Sequence, residues 1–205
     1  MAETDMPRRI DSRQGDTDTF VQWEVAGTSH VDIDYAEERA SVRAVHEGRD
    51  PATATVTFPT CAEPPYSRVP FRHVFNAAFE HLARWVADGP PPPSAPILES
   101  APSGSSDADV FARDERGNAL GGIRLAAHAV PTATNSGINR GEGFCRLYGS
   151  HYPFDAATLA ALYPSNEDYV ARVREVVLEN LDHGFIVQHD ADQTVREAEA
   201  SSIGR

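Results

Sequence analysis

His30 directly follows the loop Ala26-Gly27-Thr28-Ser29, and that loop follows an alternating run in which Val21, Trp23 and Val25 interleave with Phe20, Gln22 and Glu24. A histidine just past the carboxyl end of a strand sits where open α/β sheets keep their reacting groups. An acidic cluster, Glu3-Thr4-Asp5, lies upstream. An imidazole can take the proton of a hydroxyl nucleophile, and a carboxylate is needed to fix its tautomer and stabilise its charged form. Asp5 and His30 are therefore a candidate orienting acid and general base. The rival chemistry is metal binding by His30-x-Asp32-x-Asp34 with Glu37 and Glu38 nearby, an oxygen and imidazole set that a divalent ion accepts. That set has no separated second cluster, and solvated acids beside a loop are its simpler reading.

The elements that must hold these groups follow from periodicity. Alternation over 18–25 predicts a strand. Residues 1–17 read as a polar loop or acidic tail, and 36–47 as a short helix. Residues 48–70 are rich in proline, with one extended apolar patch at Val56-Thr57-Phe58. Over 71–87, Phe71, Val74, Phe75, Ala78, Leu82, Trp85 and Val86 recur at helical spacing, which predicts a core helix ended by Asp88-Gly89 and four prolines. His73 and His81 on it read as surface or packing residues. Residues 90–108 read as a linker or a segment hugging a surface. Over 109–125 a hairpin is expected around Asp114–Asn118, with Gly121-Gly122 breaking its second strand. Residues 126–153 read as irregular. Helices are expected at 155–162 after an Asp155 cap, at 166–183 after Ser165, and at 190–200.

The composition excludes several functions. With a net charge of −13 over 205 residues, the chain lacks the basic face that nucleic acid or an anionic membrane requires. All 18 basic residues are arginine. Without lysine there is no Schiff-base chemistry and no phosphate-loop lysine. No stretch is apolar and long enough to span a bilayer. Two cysteines, Cys61 and Cys145, are too few for a disulfide scaffold, and buried free thiols are the simpler reading.

Several strings carry a resemblance: ETD (3–5), DTFVQWEVAGTSHVD (18–32), FNAAFEHLARWVADGPPP (75–92), GNALGGIR (117–124), VPTAT (130–134), GFCRLYGS (143–150) and PFDAATLAALYPS (153–165). In this order they resemble the C-terminal part of a bacterial α/β-hydrolase-domain family. The resemblance implies an acid in the Glu-Thr-Asp string and a base in Gly-Thr-Ser-His. Asp5 is then the acid, with Glu3 as fallback, and His30 the base, matching the order nucleophile, acid, base. The family's nucleophile elbow, oxyanion hole and first strands would lie upstream of Met1. Gly104-Ser105-Ser106-Asp107-Ala108 fits a relaxed Gly-x-Ser-x-Ala pattern but follows a proline-rich stretch, not the strand that exposes such a serine. Cys61 and Cys145 both sit in family-like strings, and a bridge between them would tie the post-histidine loop to the C-terminal extension. His151, Tyr152 and Phe154 are candidate pocket residues, with aromatic packing as the default for the last two.

The expected fold class is α/β: the last strand and final core helix of an α/β-hydrolase sheet, with an α+β extension of a β-hairpin and two or three helices. The expected division is 1–89 hydrolase core, 90–108 linker and 109–205 extension. The expected role is to supply the acid and base of a serine hydrolase acting on a small ester or acyl substrate. No cofactor and no metal are expected, and compartment and oligomeric state stay open. The chain by itself is expected to be inactive and to expose a large apolar patch. The competing roles are a non-enzymatic module that associates with another chain and a divalent-metal-binding module.

Overall fold

Two antiparallel helices near the C-terminus organise the core. The computed structural model describes residues 1–87, 89–101 and 110–205. Its elements are α1 (Ile33–His46), α2 (Phe71–Val86), α3 (Ala126–Ala129), β1 (Ala133–Ser136), β2 (Ser150–Pro153), α4 (Ala156–Leu162), α5 (Asn166–Asp182) and α6 (Gln188–Ala200), with 3-10 turns at Glu3–Arg8, Ile10–Ser12, Pro51–Thr53 and Cys145–Leu147. The helix starts have chemical causes. Asp32, Asp155 and Ser165 each accept a backbone N–H of the first turn of α1, α4 and α5, a cap worth about 1 kcal/mol.

Val173 and Val177 on α5 and Ala191 and Ala198 on α6 pack with Trp23, Val25, Val74, Ala77 and Ile123. One cluster thus draws on both ends of the chain. Trp23 stands edge-on to His81 and Phe185 and donates its indole N–H to Pro93 O at 2.7 Å. The proline-rich stretch is pinned there against the core.

The strand content differs from expectation. Over 18–25 there is no ladder; only Val25 bridges in parallel, to Ala2 on one side and Ile123 on the other. At Gln22 a side chain takes the place of a partner strand, the Gln22 N–H donating to Asp16 Oδ1 at 3.1 Å, whereas Glu24 O accepts Ile123 N–H at 2.7 Å and the buried Glu24 carboxylate receives Leu98 N–H at 2.9 Å and Arg13 at 2.6 Å. The two-stranded antiparallel sheet is β1–β2, with Thr134 opposite Tyr152, inside the region that reads as irregular. Its strands have four residues each and no apolar alternation, so periodicity is silent about them. The expected hairpin is closed by one antiparallel bridge, Arg113 to Ala119, and its two arms also pair with the stretch read as a linker, Phe111 with Ser100 and Gly121 with Leu98. Asp114 Oδ1 accepts the N–H groups of Arg116 and Asn118, both at 2.9 Å, which closes its turn. After Gly121-Gly122 the chain turns to pair Ile123 with Val25. Residues 1–17 are not a tail, because Met6 and Glu3 are fully buried.

On α2 the buried positions are His73, Val74 and Ala77. Phe75, Phe79, Leu82 and Val86 remain exposed, so the expected apolar patch is present on the helix face read as core. No described helix is long and apolar enough to cross a membrane.

Candidate active site

The loop that carries His30 is shaped from below. Gly27 has φ +73°, and a Cβ there would lie 2.4 Å from His128 Nδ1, so only glycine fits. Gly27 N–H donates to Glu3 Oε2 at 2.6 Å, Thr28 Oγ1 donates to Val25 O at 2.6 Å, and Thr4 N–H donates to Thr28 O at 3.3 Å. These bonds lay the segment Glu3–Asp5 across the loop Ala26–His30. Asp5 Oδ1 then stands 3.7 Å from His30 Nδ1. That is an ion-pair distance and too long for a hydrogen bond. His30 is 59% exposed and Asp5 35%, so both side chains have room to turn.

Glu3, the fallback acid, has another role. It is fully buried, and its Oε1 receives Arg113 Nη2 and Ser136 Oγ, both at 3.0 Å. With Gly27 on its other oxygen, the carboxylate is fully occupied as a strut. Asp5 is the carboxylate that faces His30.

His30 lies where two grooves meet. One, of 760 Å³, is lined mainly by apolar side chains, among them Phe20, Trp23, Phe71, Val74, Leu82 and Trp85, with Asp5, Gln22 and His30 among its polar members. The other, of 710 Å³, runs past Asp32, Asp34, Glu37, Glu38, Arg68 and Arg72. The hydroxyls next to His30 in sequence are committed to backbone: Thr28 Oγ1 to Val25 O, and Ser29 Oγ to Val31 O at 3.0 Å. Neither is free to serve as a nucleophile.

The acids of the metal alternative have structural partners. Asp32 caps α1 through Tyr35 N–H and also receives Phe71 N–H at 3.2 Å. Burial pushes its carboxyl up, against the pull of those two N–H groups. Asp34 pairs with Arg72 at 2.9 Å. Among the described residues no group of three or more histidine, cysteine, aspartate or glutamate side chains is placed to hold a metal ion.

The other expected residues lie elsewhere. His73 is buried against Asp190, 3.9 Å away on α6, and burial lowers its pKa. His81 Nε2 meets Gly184 O at 2.9 Å. His151 Nδ1 donates to Asn135 Oδ1 at 2.9 Å, and burial, helped by Arg68, pushes it down to about 4. Tyr152 is exposed and donates to Glu63. His151, Tyr152 and Phe154 line neither groove. Gly104–Ala108 lies outside the described residues. Cys61 and Cys145 are bonded to each other across 84 residues, the bridge that the family-like strings suggested and not the two free thiols of the simpler reading.

What the sequence did not disclose is the floor beneath the loop: Glu3, Arg113 and Ser136. Their pairing spans up to 133 residues and leaves no local pattern.

A family described as "Alpha/beta hydrolase domain" matches residues 1–196. No curated protein and no solved structure matches the chain.

Proposed function

We propose, for a chain that belongs to the alpha/beta hydrolase domain family, that it supplies the acid and base for cleavage of an ester or related acyl bond. The observation that supports this reading most is the approach of Asp5 to His30 at the mouth of an apolar groove. His30 takes the proton of a serine hydroxyl supplied by residues beyond this sequence and returns it to the leaving group. Asp5 holds the imidazole in the tautomer that makes this possible. For His30 Nε2 to act, Nδ1 must carry the proton and point to Asp5, so closing the 3.7 Å separation is part of assembling the site. The groove favours an uncharged apolar acyl or alcohol group, because its lining includes no arginine to hold a carboxylate.

The test is hydrolysis of a neutral aryl ester by a protein in which this chain is joined to a nucleophile-bearing segment of the family. His30→Ala should lower kcat by at least about 100-fold. Unchanged turnover would refute the assigned base.

A second reading rests on α2. Phe75, Phe79, Leu82 and Val86 are exposed together, the kind of face that another polypeptide covers. On this reading the chain is a non-enzymatic module that associates through α2. It is distinguished from the first in the joined protein, which on this reading assembles through α2 but hydrolyses no ester whether His30 is present or replaced by alanine.

A further inference from the structure

The Cys61–Cys145 bridge stands behind the dyad. From Cys145 the chain makes one 3-10 turn and reaches Gly149, and three consecutive carbonyls on the way point at three different segments. Arg146 O receives Thr4 Oγ1–H at 2.9 Å. Leu147 O receives Val31 N–H, and Tyr148 O receives Ser67 N–H, both at 2.9 Å. Thr4 is the neighbour of Asp5, and Val31 the neighbour of His30. One short turn therefore holds the neighbour of each member of the dyad, Thr4 by its hydroxyl and Val31 by its backbone N–H.

The turn is fastened at its two ends. At the far end, Asn139 Nδ2 donates to Gly149 O at 2.6 Å. Asn139 is itself fixed to Glu63, accepting Glu63 N–H at 3.1 Å and donating to Glu63 O at 3.0 Å. At the near end the fastening is the bond from Cys145 to Cys61, two residues before Glu63. Gly149 is seated closely as well: with φ +61°, a Cβ there would lie 2.4 Å from Ser136 O.

We propose that the turn Cys145–Gly149 is a positioning element for Asp5 and His30, and that the Cys61–Cys145 bond makes this positioning depend on oxidation. An external dithiol would open it. Its thiolate attacks one sulfur, the Cys61–Cys145 bond breaks, and a mixed disulfide forms. The second thiol of the reagent then displaces the chain, leaving two thiols on the chain and a disulfide on the reagent, a transfer of two electrons and two protons. The turn keeps its Asn139 end and loses its Cys145 end. The Leu147 and Arg146 carbonyls then drift from Val31 and Thr4, and His30 and Asp5 lose their common support. That Asp5 and His30 do chemistry rests on the function proposed above; that the turn positions them does not.

The experiment uses the full chain, oxidised or treated with dithiothreitol, with the bond state verified by mass. Two signals are read. The first is hydrogen exchange at the Val31 amide, expected to quicken by at least about 10-fold on reduction while the amides within α5 keep their protection. The second is the Cε1–H proton resonance of His30. In the oxidised chain Asp5→Asn should move it; after reduction the same substitution should leave it unmoved. An unchanged Val31 rate together with a persisting effect of Asp5→Asn overturns the proposal. If reduction unfolds the chain, Thr4→Val with the bridge intact decides. It removes the bond to Arg146 O and should weaken the effect of Asp5→Asn on His30, and an undiminished effect counts against the proposal. If Asp5→Asn never affects His30, the dyad reading fails, and the Val31 rate alone decides the clamp.

Discussion

The floor under the His30 loop and the outer face of α2 are opposites in construction. The floor has almost no regular secondary structure. It is assembled from Glu3, Gly27, Ser67, Arg113, Ser136 and Asn139, and nearly every polar atom there has a partner. The α2 helix is regular over 16 residues, yet half of its apolar stripe faces solvent. Regularity and completeness are therefore separate properties of this fold. Irregular chain becomes precise when side chains saturate its backbone groups, because each unsatisfied buried group costs about 1–3 kcal/mol. A helix saturates its own backbone and can stand with a bare flank. Saturated polar contacts reside in the floor, and exposed apolar area resides in α2 and the groove beside it.

The sharpest way to break this contrast is to remove the floor's central charge. Glu3→Ala strips Arg113, Ser136 and Gly27 of an acceptor at once. Deleting one partner of a buried pair costs about 3–5 kcal/mol, since the charge left behind is uncompensated. Urea unfolding should show that loss. A loss below about 1 kcal/mol would mean that the network is an ornament on a fold held elsewhere.

The next effect, a dependence on pH, draws on both regions, since His73 lies on the buried side of α2. Burial lowers the pKa of His73 and His128, and pushes His151 from its ordinary 6.5 down to about 4. Each stays neutral when folded but gains a proton more readily when unfolded, so the unfolded state takes up protons first as the pH falls. The stability these groups contribute is complete above about 6.5 and is lost progressively toward pH 4. Denaturation midpoints at pH 7 and pH 5 should differ accordingly, and His151→Asn should reduce the difference. Asp32, raised by burial, works in the opposite direction at more acidic pH.

The helices were legible in the sequence because their signals are local. Asp155 and Ser165 cap the helices they were expected to cap, and the spacing along 71–87 gives α2 to within a residue. The turn at Asp114–Asn118 was legible for the same reason. Periodicity failed where a side chain or an isolated bridge stood in for a ladder, as at Gln22 and Val25, and where strands were too short for a pattern, as in β1 and β2. Within the candidate site, chain order and the Gly-Thr-Ser-His string pointed to His30 and Asp5. The floor was invisible, because Glu3 looks like any acid in a polar segment until Arg113, 110 residues on, is folded against it.

On α2 the contrast predicts tolerance. Phe79 and Val86 are 65% and 79% exposed, so Phe79→Ser with Val86→Ser should change unfolding free energy by no more than about 1 kcal/mol. If the bare flank associates in solution, as the second reading of function holds, the same pair should sharply reduce that association, measured by sedimentation. A large loss of stability would place these side chains in a core, and α2 would no longer differ from the floor.

The smallest expected effect on stability is that of His30, the proposed base. His30 touches the floor through its backbone neighbours, while its side chain reaches out to an aspartate 3.7 Å away in partly open solvent. Contacts between partly exposed polar side chains at that distance contribute about 0–1 kcal/mol. His30→Ala should therefore shift the urea midpoint hardly at all, by less than about 0.5 kcal/mol in free energy. A loss above about 1.5 kcal/mol would count against the assignment. Such a residue would belong to the floor, held there for packing, and its place beside Asp5 would need no chemical explanation. Little change in stability together with a large drop in ester turnover is the pattern of a side chain that the fold presents but does not lean on.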